Sequence, residues 1–411
     1  MTVCAQDLTW LLHPVKPTEF LGDYFEQRPL HVSERPPDYF SALFGVDDIE
    51  RYLFCVRPQA EQLSVLRDGA KDAAMEQEIA RNPDRAPRAL MDGYTLVLNG
   101  AQRYWPPLRE LVAELSEFLA CPVIVNVYCS GPGSQGFDTH ADVHDVFVAQ
   151  IAGSKRWRLY NPLYVLPIDG LPGDLHSLGP PESGELDPSA LRATLTGEQV
   201  LKAGDLLYIP RGVPHDAVAH DELSIHLTLG MHPPTWYQML TAMTQLVAIY
   251  DPAWRASIPL DIRRNNGALP SASELGKMFA ASLERTGQDW STEDLLALFH
   301  RDLGMKAGPA GPGRYLRSIL DIENLAVSSV VERRPGARLR FAIRDKRAHL
   351  TFSGGNMSGP RKIVPALEFI SKQGRFVVGQ LPGQLSDSER LVLARRLIRE
   401  GLLQIAGNDS R

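Results

Sequence analysis

At 411 residues the chain is long enough for two or three domains. A hydrophobic fraction of 44% and a charged fraction of 22% are those of an ordinary globular protein, and a net charge of −6 argues against a general nucleic-acid coat. The cysteines Cys4, Cys55, Cys121 and Cys129 show no CxxC spacing, which disfavours a zinc site or a disulfide framework and fits a reducing cytoplasm; no signal peptide or membrane span is expected. In chain order, Pro17 to Phe25 reads as an amphipathic helix, Val46 to Leu53 begins a second, and Leu108 to Leu119 is a third. Its apolar residues Leu111, Val112, Leu115, Phe118 and Leu119 are read as core.

The middle of the chain changes character. Asn126-Val127-Tyr128 reads as a strand that puts Asn126 and Tyr128 on one face. Gly131-Pro132-Gly133 punctuates its end. His140 and Asp142 then stand two apart in a stretch read as a strand, so both face one side. The run Val146 to Ile151, a turn at residues 152–155, and the alternating Arg156-Trp157-Arg158-Leu159-Tyr160 read as a hairpin. Leu206 to Pro210 is a short buried strand, and His215 begins the next one. Short strands with turn punctuation suggest a sandwich or jelly roll. Two histidines and one carboxylate on one side of a metal leave its other positions open, the facial triad of non-haem Fe(II) oxygenases. His140, Asp142 and His215 are the candidate ligands.

Past Pro233-Pro234 the pattern turns helical. Trp236 to Tyr250, Ser271 to Arg285 and Thr292 to Leu303 are expected helices, the latter two with a Ser or Thr at the start as cap. Trp236, Leu240, Met243 and Leu246 form one apolar stripe. Residues 308–313 are rich in Gly and Pro and read as a linker. Beyond them come a short helix from Pro365, a strand at Phe376 to Val378, and a capping box at Ser386 to Glu389 that opens a helix ended by Gly401. Residues 333–347 hold the densest basic run, read either as a solvated strand face or as a contact for RNA or an acidic partner.

Residues 121–232 resemble the JmjC-type oxygenase domain of the cupin-like ribosomal oxygenases. The resemblance is carried by Asn126-Val127-Tyr128, Gly133-Ser134-Gln135-Gly136, His140-Ala141-Asp142, Asp145-Val146-Phe147, residues 153–158 and residues 204–215. Phe25 to Leu30 and Leu381 to Ser386 extend it along nearly the whole chain. The family consists of 2-oxoglutarate-dependent protein hydroxylases, and known members modify His or Arg of ribosomal proteins. The resemblance implies an α+β chain with a double-stranded β-helix (jelly-roll, cupin) JmjC core over 1–232. It further implies a helical dimerisation region over 233–313 and a winged-helix-like domain over 314–411. It implies Fe(II), 2-oxoglutarate and O2, a ribosomal-protein substrate, a homodimer and a cytoplasmic enzyme.

On alternation alone Lys155, Arg156 and Arg158 compete as the cation for the distal carboxylate of 2-oxoglutarate; the family's lysine matches Lys155. Thr228 matches a position near the cosubstrate, and Asn126 and Tyr128 are candidate hydrogen-bond donors there. Ala141 stands where several relatives have Tyr. His144, read on the same face as His140 and Asp142, is expected to line the substrate channel or to bond Asp145. The competing readings are the same chemistry on a small peptide or natural product, and a non-catalytic cupin-like adaptor.

Overall fold

The computed structural model describes residues 6–162, 164–168, 194–264, 269–287, 291, 295, 315–334, 337, 339–344, 347–352 and 355–407. The chain divides into two compact units, Met1–Pro233 and Pro234–Arg411.

In the first unit the strands are β1 Leu30–Val32, β2 Leu63–Arg67, β3 Ala70–Lys71, β4 Thr95–Leu98, β5 Val123–Ser130 and β6 Asp145–Ala152. They continue with β7 Ser154–Tyr160, β8 Leu195–Lys202, β9 Leu206–Ile209, β10 His215–Ala219 and β11 Ser224–Met231. The larger sheet runs β1-β9-β6-β11-β5-β4-β2-β3, and a smaller one runs β10-β7-β8. All pairings among these strands are antiparallel. The result is a cupin-like double sheet with helices on one side.

β6 shows why its sequence is almost continuously apolar. Val146 and Val148 face inward and pack with Trp157, Leu159, Leu201, Leu207 and Ile209 between the two sheets. Phe147, Ala149 and Ile151 face outward and join a second cluster with Leu8, Leu11, Phe20, Leu111 and Leu115 from the N-terminal helices. Both faces of the strand are therefore buried, and alternation of polarity is lost. Phe147 lies 5.2 Å from Phe20 and 5.3 Å from Tyr208, ring centre to ring centre.

The N-terminal helices form near their expected places, at Pro17–Asp23, Val46–Arg51 and Pro106–Phe118. Leu111 and Leu115 are buried, but Phe118 is 52% exposed and does not belong to the core. The expected hairpin over residues 146–160 is not one. β6 and β7 follow each other in the chain yet pair with different strands, so the chain crosses from one sheet to the other at Gly153. Gly153 has φ 62°, and a Cβ there would stand 2.1 Å from the Leu223 carbonyl oxygen. Only glycine fits this corner.

In the second unit, Trp236–Tyr250 and Ala272–Thr286 are helices capped by Thr235 and Ser271. The buried Asp251 accepts hydrogen bonds from Ser282 at 2.7 Å and Arg285 at 2.6 Å, tying the two helices. The expected stripe on the first helix is split: Trp236 is 83% and Leu240 53% exposed, whereas Leu246 is buried. Farther on are β12 Val330–Arg333, β13 Leu339–Arg344, β14 Arg347–Phe352, β15 Gly355–Pro360, β16 Arg375–Val377 and β17 Leu403–Ile405. β12 lies between β16 and β17, and β13-β14-β15 is a meander. Helices Val364–Lys372 and Asp387–Arg399 complete a core around Leu367, Ile370, Phe376, Leu397 and Leu403. Ser386 caps the last helix as its sequence requires. Most of the expected helix from Thr292 to Leu303 and the whole linker at 308–313 lie outside the described residues, as do Arg338 and Lys346 of the basic run. Arg333 and Arg334 donate to the carbonyls of Ser371 and Gly401, so these two serve the local fold. No helix among the described residues is long and apolar enough to cross a membrane.

Candidate active site

His140, Asp142 and His215 come together, with one ligand atom of each lying within 4.8 Å of the others. His140 Nε2 is 3.9 Å from Asp142 Oδ1, and His215 Nε2 is 3.7 Å from Asp142 Oδ2. The route differs from the expected one. His140 and Asp142 precede β6 instead of lying in a regular strand. His140 is held by an isolated antiparallel bridge to His215, with N···O distances of 3.1 and 2.8 Å. The Gly212 amide donates to the Asp142 carbonyl at 2.9 Å.

Side-chain contacts set the imidazoles further. His140 Nδ1 lies 2.7 Å from the Asp138 carbonyl and His215 Nδ1 lies 3.0 Å from the Val213 carbonyl. Each Nδ1 must carry the proton to make these bonds, which leaves the Nε2 lone pairs facing Asp142. This is the arrangement in which outer partners fix the tautomer of a metal-ligating histidine. Burial, with His140 beside it, pushes His215 down to about 4, so the ring is neutral and able to ligate near neutral pH. The donor set fits a divalent transition metal with open positions.

Two buried clusters brace the ligand loops. Asp216, next to His215, accepts hydrogen bonds from Thr139 at 2.9 Å, Tyr160 at 2.7 Å and Arg158 at 2.7 Å. Thr139 is the neighbour of His140, so one carboxylate ties both histidine segments. Asp145 accepts from Tyr208 at 2.6 Å and from Arg211 Nη1 at 2.9 Å, and Arg211 also pairs with Glu26 at 2.7 Å.

Lys155 is 1% exposed. Its Nζ donates to Ser130 Oγ at 2.9 Å, and no carboxylate among the described residues pairs with it. Burial pushes its pKa down to about 7. Arg156 is exposed on the other face and pairs with Glu198, and Arg158 is committed to Asp216. Of the three cations weighed from the sequence, Lys155 is the one inside. Nearby buried polar atoms stand without hydrogen-bond partners: Trp157 Nε1, Ser134 Oγ and His226 Nδ1. Such groups are costly to leave unpaired.

Asn126 accepts from the Gly100 amide at 2.9 Å and hydrogen bonds Tyr128. It thereby anchors the tyrosine and a turn. Tyr128 is half-buried, and desolvation, with Asp142 contributing, raises it above the usual phenol range. Thr228 is partly exposed and sits between Asn126 and Val148 in register. His144 is not among the candidate ligands. Its ring lies 4.8 Å from that of His232, over Gly230, where a Cβ would meet it at 3.1 Å. His226 had not been singled out from the sequence, although Ser224-Ile225-His226-Leu227-Thr228 alternates polar and apolar residues. It stacks on Tyr128 at 4.6 Å and 10°.

Comparison with known proteins agrees with this geometry. Residues 98–239 match the JmjC domain family. The bifunctional lysine-specific demethylase and histidyl-hydroxylase NO66 of Drosophila willistoni is 30% identical over 276 residues, 65% of this chain and 35% of the relative. That of Drosophila erecta is 32% identical over 237 residues, 57% of this chain and 34% of the relative. The chain therefore spans about a third of the length of these relatives. In fold it is similar over 96% of its length, and 99% of the other's, to ycfD of Escherichia coli, at a TM-score of 0.54 and 16% identity. A structure of the same protein described as a ribosomal oxygenase in complex with cobalt and 2-oxoglutarate gives a TM-score of 0.54 at 18% identity, over 96% of this chain and 99% of that one. The chain thus carries a JmjC domain over residues 98–239, the stretch that holds His140, Asp142 and His215, in a fold similar to that of ycfD.

Proposed function

We propose that the chain is a 2-oxoglutarate- and Fe(II)-dependent oxygenase that hydroxylates a protein side chain, an arginine or histidine of a ribosomal protein. The observation that carries this reading is a His-Asp-His set with both Nδ1 atoms held by carbonyls, together with a buried lysine that pairs with no carboxylate among the described residues. When bound, iron couples oxidative decarboxylation of 2-oxoglutarate to succinate and CO2 with oxidation of a C–H bond by O2. The protein supplies position and charge. His140, Asp142 and His215 hold the metal. Lys155, with Ser130 beside it, binds the distal carboxylate. Tyr128, fixed by Asn126, and Thr228 line the space between. The register supports the spacing, because Leu159 pairs with His215 and Lys155 with Ala219. The backbones of Lys155 and His215 are thus four residues apart along the sheet, roughly 13 Å at about 3.3 Å per residue. That interval, less two side chains, suits a five-carbon diacid.

In this reading residues 1–232 are the catalytic domain, 233–313 form a homodimer, and 314–411 are a winged-helix-like unit that receives the substrate in the cytoplasm. The exposed Trp236 and Leu240 support an interface between copies. The test is turnover of 2-oxoglutarate to succinate by purified protein with iron and ascorbate. It is followed by mass spectrometry of the host's ribosomal proteins with and without the enzyme. One added oxygen on one peptide is the expected result; absence of succinate would overturn the proposal.

A further inference from the structure

We propose that His226 is a second binding group for the distal carboxylate of 2-oxoglutarate, donating from Nδ1 beside Lys155. The inference rests on the cosubstrate reading above and adds a residue to it.

His226 lies on β11 on the face that also carries Ser224 and Thr228, while Ile225, Leu227 and Leu229 face the outer core. In register it is opposite Tyr128 on β5 and Gln150 on β6. It is 1% exposed. Its ring is clamped flat on Tyr128 and edge-on to Trp157, whose centre is 5.4 Å away at 81°. A clamped ring cannot turn its polar edge to solvent. Nevertheless Nδ1 has no hydrogen-bond partner.

A structural histidine in a sheet normally satisfies both nitrogens. An unpartnered one held rigidly next to a buried ammonium is a donor prepared for something absent from the protein. Burial, with the Lys155 charge adding to it, keeps the imidazole neutral. A neutral imidazole offers one N–H, and a carboxylate at Lys155 favours the tautomer that places this hydrogen on Nδ1. Lys155 gives charge and His226 gives direction: an ammonium on a flexible stem is a point charge, whereas a stacked ring fixes where a hydrogen bond ends.

The test uses the full-length chain loaded with Mn(II) and compares two ligands by calorimetry. One is 2-oxoglutarate; the other is 2-oxovalerate, which has the same carbon backbone without the distal carboxylate. His226→Phe keeps the stack on Tyr128 and removes the nitrogens. His226→Asn restores a donor near the Nδ1 position. A hydrogen bond to a charged group predicts that His226→Phe weakens 2-oxoglutarate by about tenfold or more. It should leave 2-oxovalerate unchanged, and His226→Asn should recover part of the loss. Equal weakening of both ligands would assign the residue a purely structural role and overturn the proposal, as would no change in either. Should the wild-type Mn(II) protein bind neither 2-oxo acid, the cosubstrate reading itself fails, and that outcome is distinct from both. Thermal melting of each variant confirms that a folded protein is being compared.

Discussion

If Lys155 holds the distal carboxylate as proposed, cosubstrate binding depends on pH in a direction that can be worked out. Burial pushes this lysine down to about 7, so in the empty site it is charged below that pH and largely neutral above it. A dicarboxylate needs the charged form, and its presence raises the lysine's pKa again. Binding above pH 7 must therefore take up a proton, and affinity falls as pH rises. With a midpoint near 7 the charged fraction is about three quarters at pH 6.5 and about 3% at pH 8.5, so the dissociation constant should rise roughly 25-fold, about 1.9 kcal/mol. Calorimetry on the Mn(II) protein at both pH values, in two buffers of different ionisation enthalpy, measures both quantities. Proton uptake should approach one at pH 8.5 and be small at pH 6.5. Lys155→Arg, which stays charged throughout, should flatten the dependence even if it binds more weakly overall. A constant affinity with no proton uptake would show that Lys155 is charged without a ligand, and the argument from its burial would be wrong.

His140→Ala should abolish succinate formation and lower the metal content of the purified protein while its melting temperature changes little, because the ring is only partly buried; a fully active variant would remove His140 from the ligand set. Phe147→Ala, which empties a site 0% exposed between Phe20 and Tyr208, should cost about 3–5 kcal/mol of stability in denaturant unfolding. A loss under 1 kcal/mol would mean that the outer cluster repacks. Light scattering at micromolar concentration should report about twice the 45.5 kDa chain mass, and Leu240→Glu should shift it toward one copy; a wild-type monomer would discard the interface.

The sequence disclosed the site better than the path that builds it. His140, Asp142 and His215 were legible because metal chemistry limits the residue types and because turn residues frame them. The strand proposed to carry the first two was not there. Their common direction comes from a two-bond bridge to His215 and an amide from Gly212, which are contacts between residues about 70 apart and invisible to local alternation. His144 packs over Gly230, on the β11 face that also carries His226 and Thr228, a neighbour that counting by twos could not name. The hairpin at 146–160 failed because adjacency in the chain does not fix pairing. A glycine corner that changes sheets looks like a tight turn in the sequence. Asn126 shows a third limit. Its strand face was read correctly, but its oxygen is engaged by a turn amide, a demand that arises only when Gly100 is folded against it. Lys155 needed the resemblance, since periodicity alone left Arg156 and Arg158 in contention.

The exposures within the triad give the centre a polarity. The His140 and Asp142 side chains are 30% and 27% exposed, while that of His215 is 6% exposed. The metal position therefore has an open side toward His140 and Asp142 and a closed side toward His215, Trp157 and the buried lysine. Trp157 stands between, 5.9 Å from His215 and 5.4 Å from His226, and is itself buried. In the proposed reading 2-oxoglutarate settles deep, on the closed side, and the reactant to be oxidised meets the open side. Electrostatic contacts strengthen where water is excluded, which favours tight placement of the cosubstrate. The reactant to be oxidised needs only to present one group at the mouth. A side chain on a folded protein can do so while its backbone stays outside, which is why the proposed function takes a macromolecular substrate rather than a small molecule that would have to be enclosed.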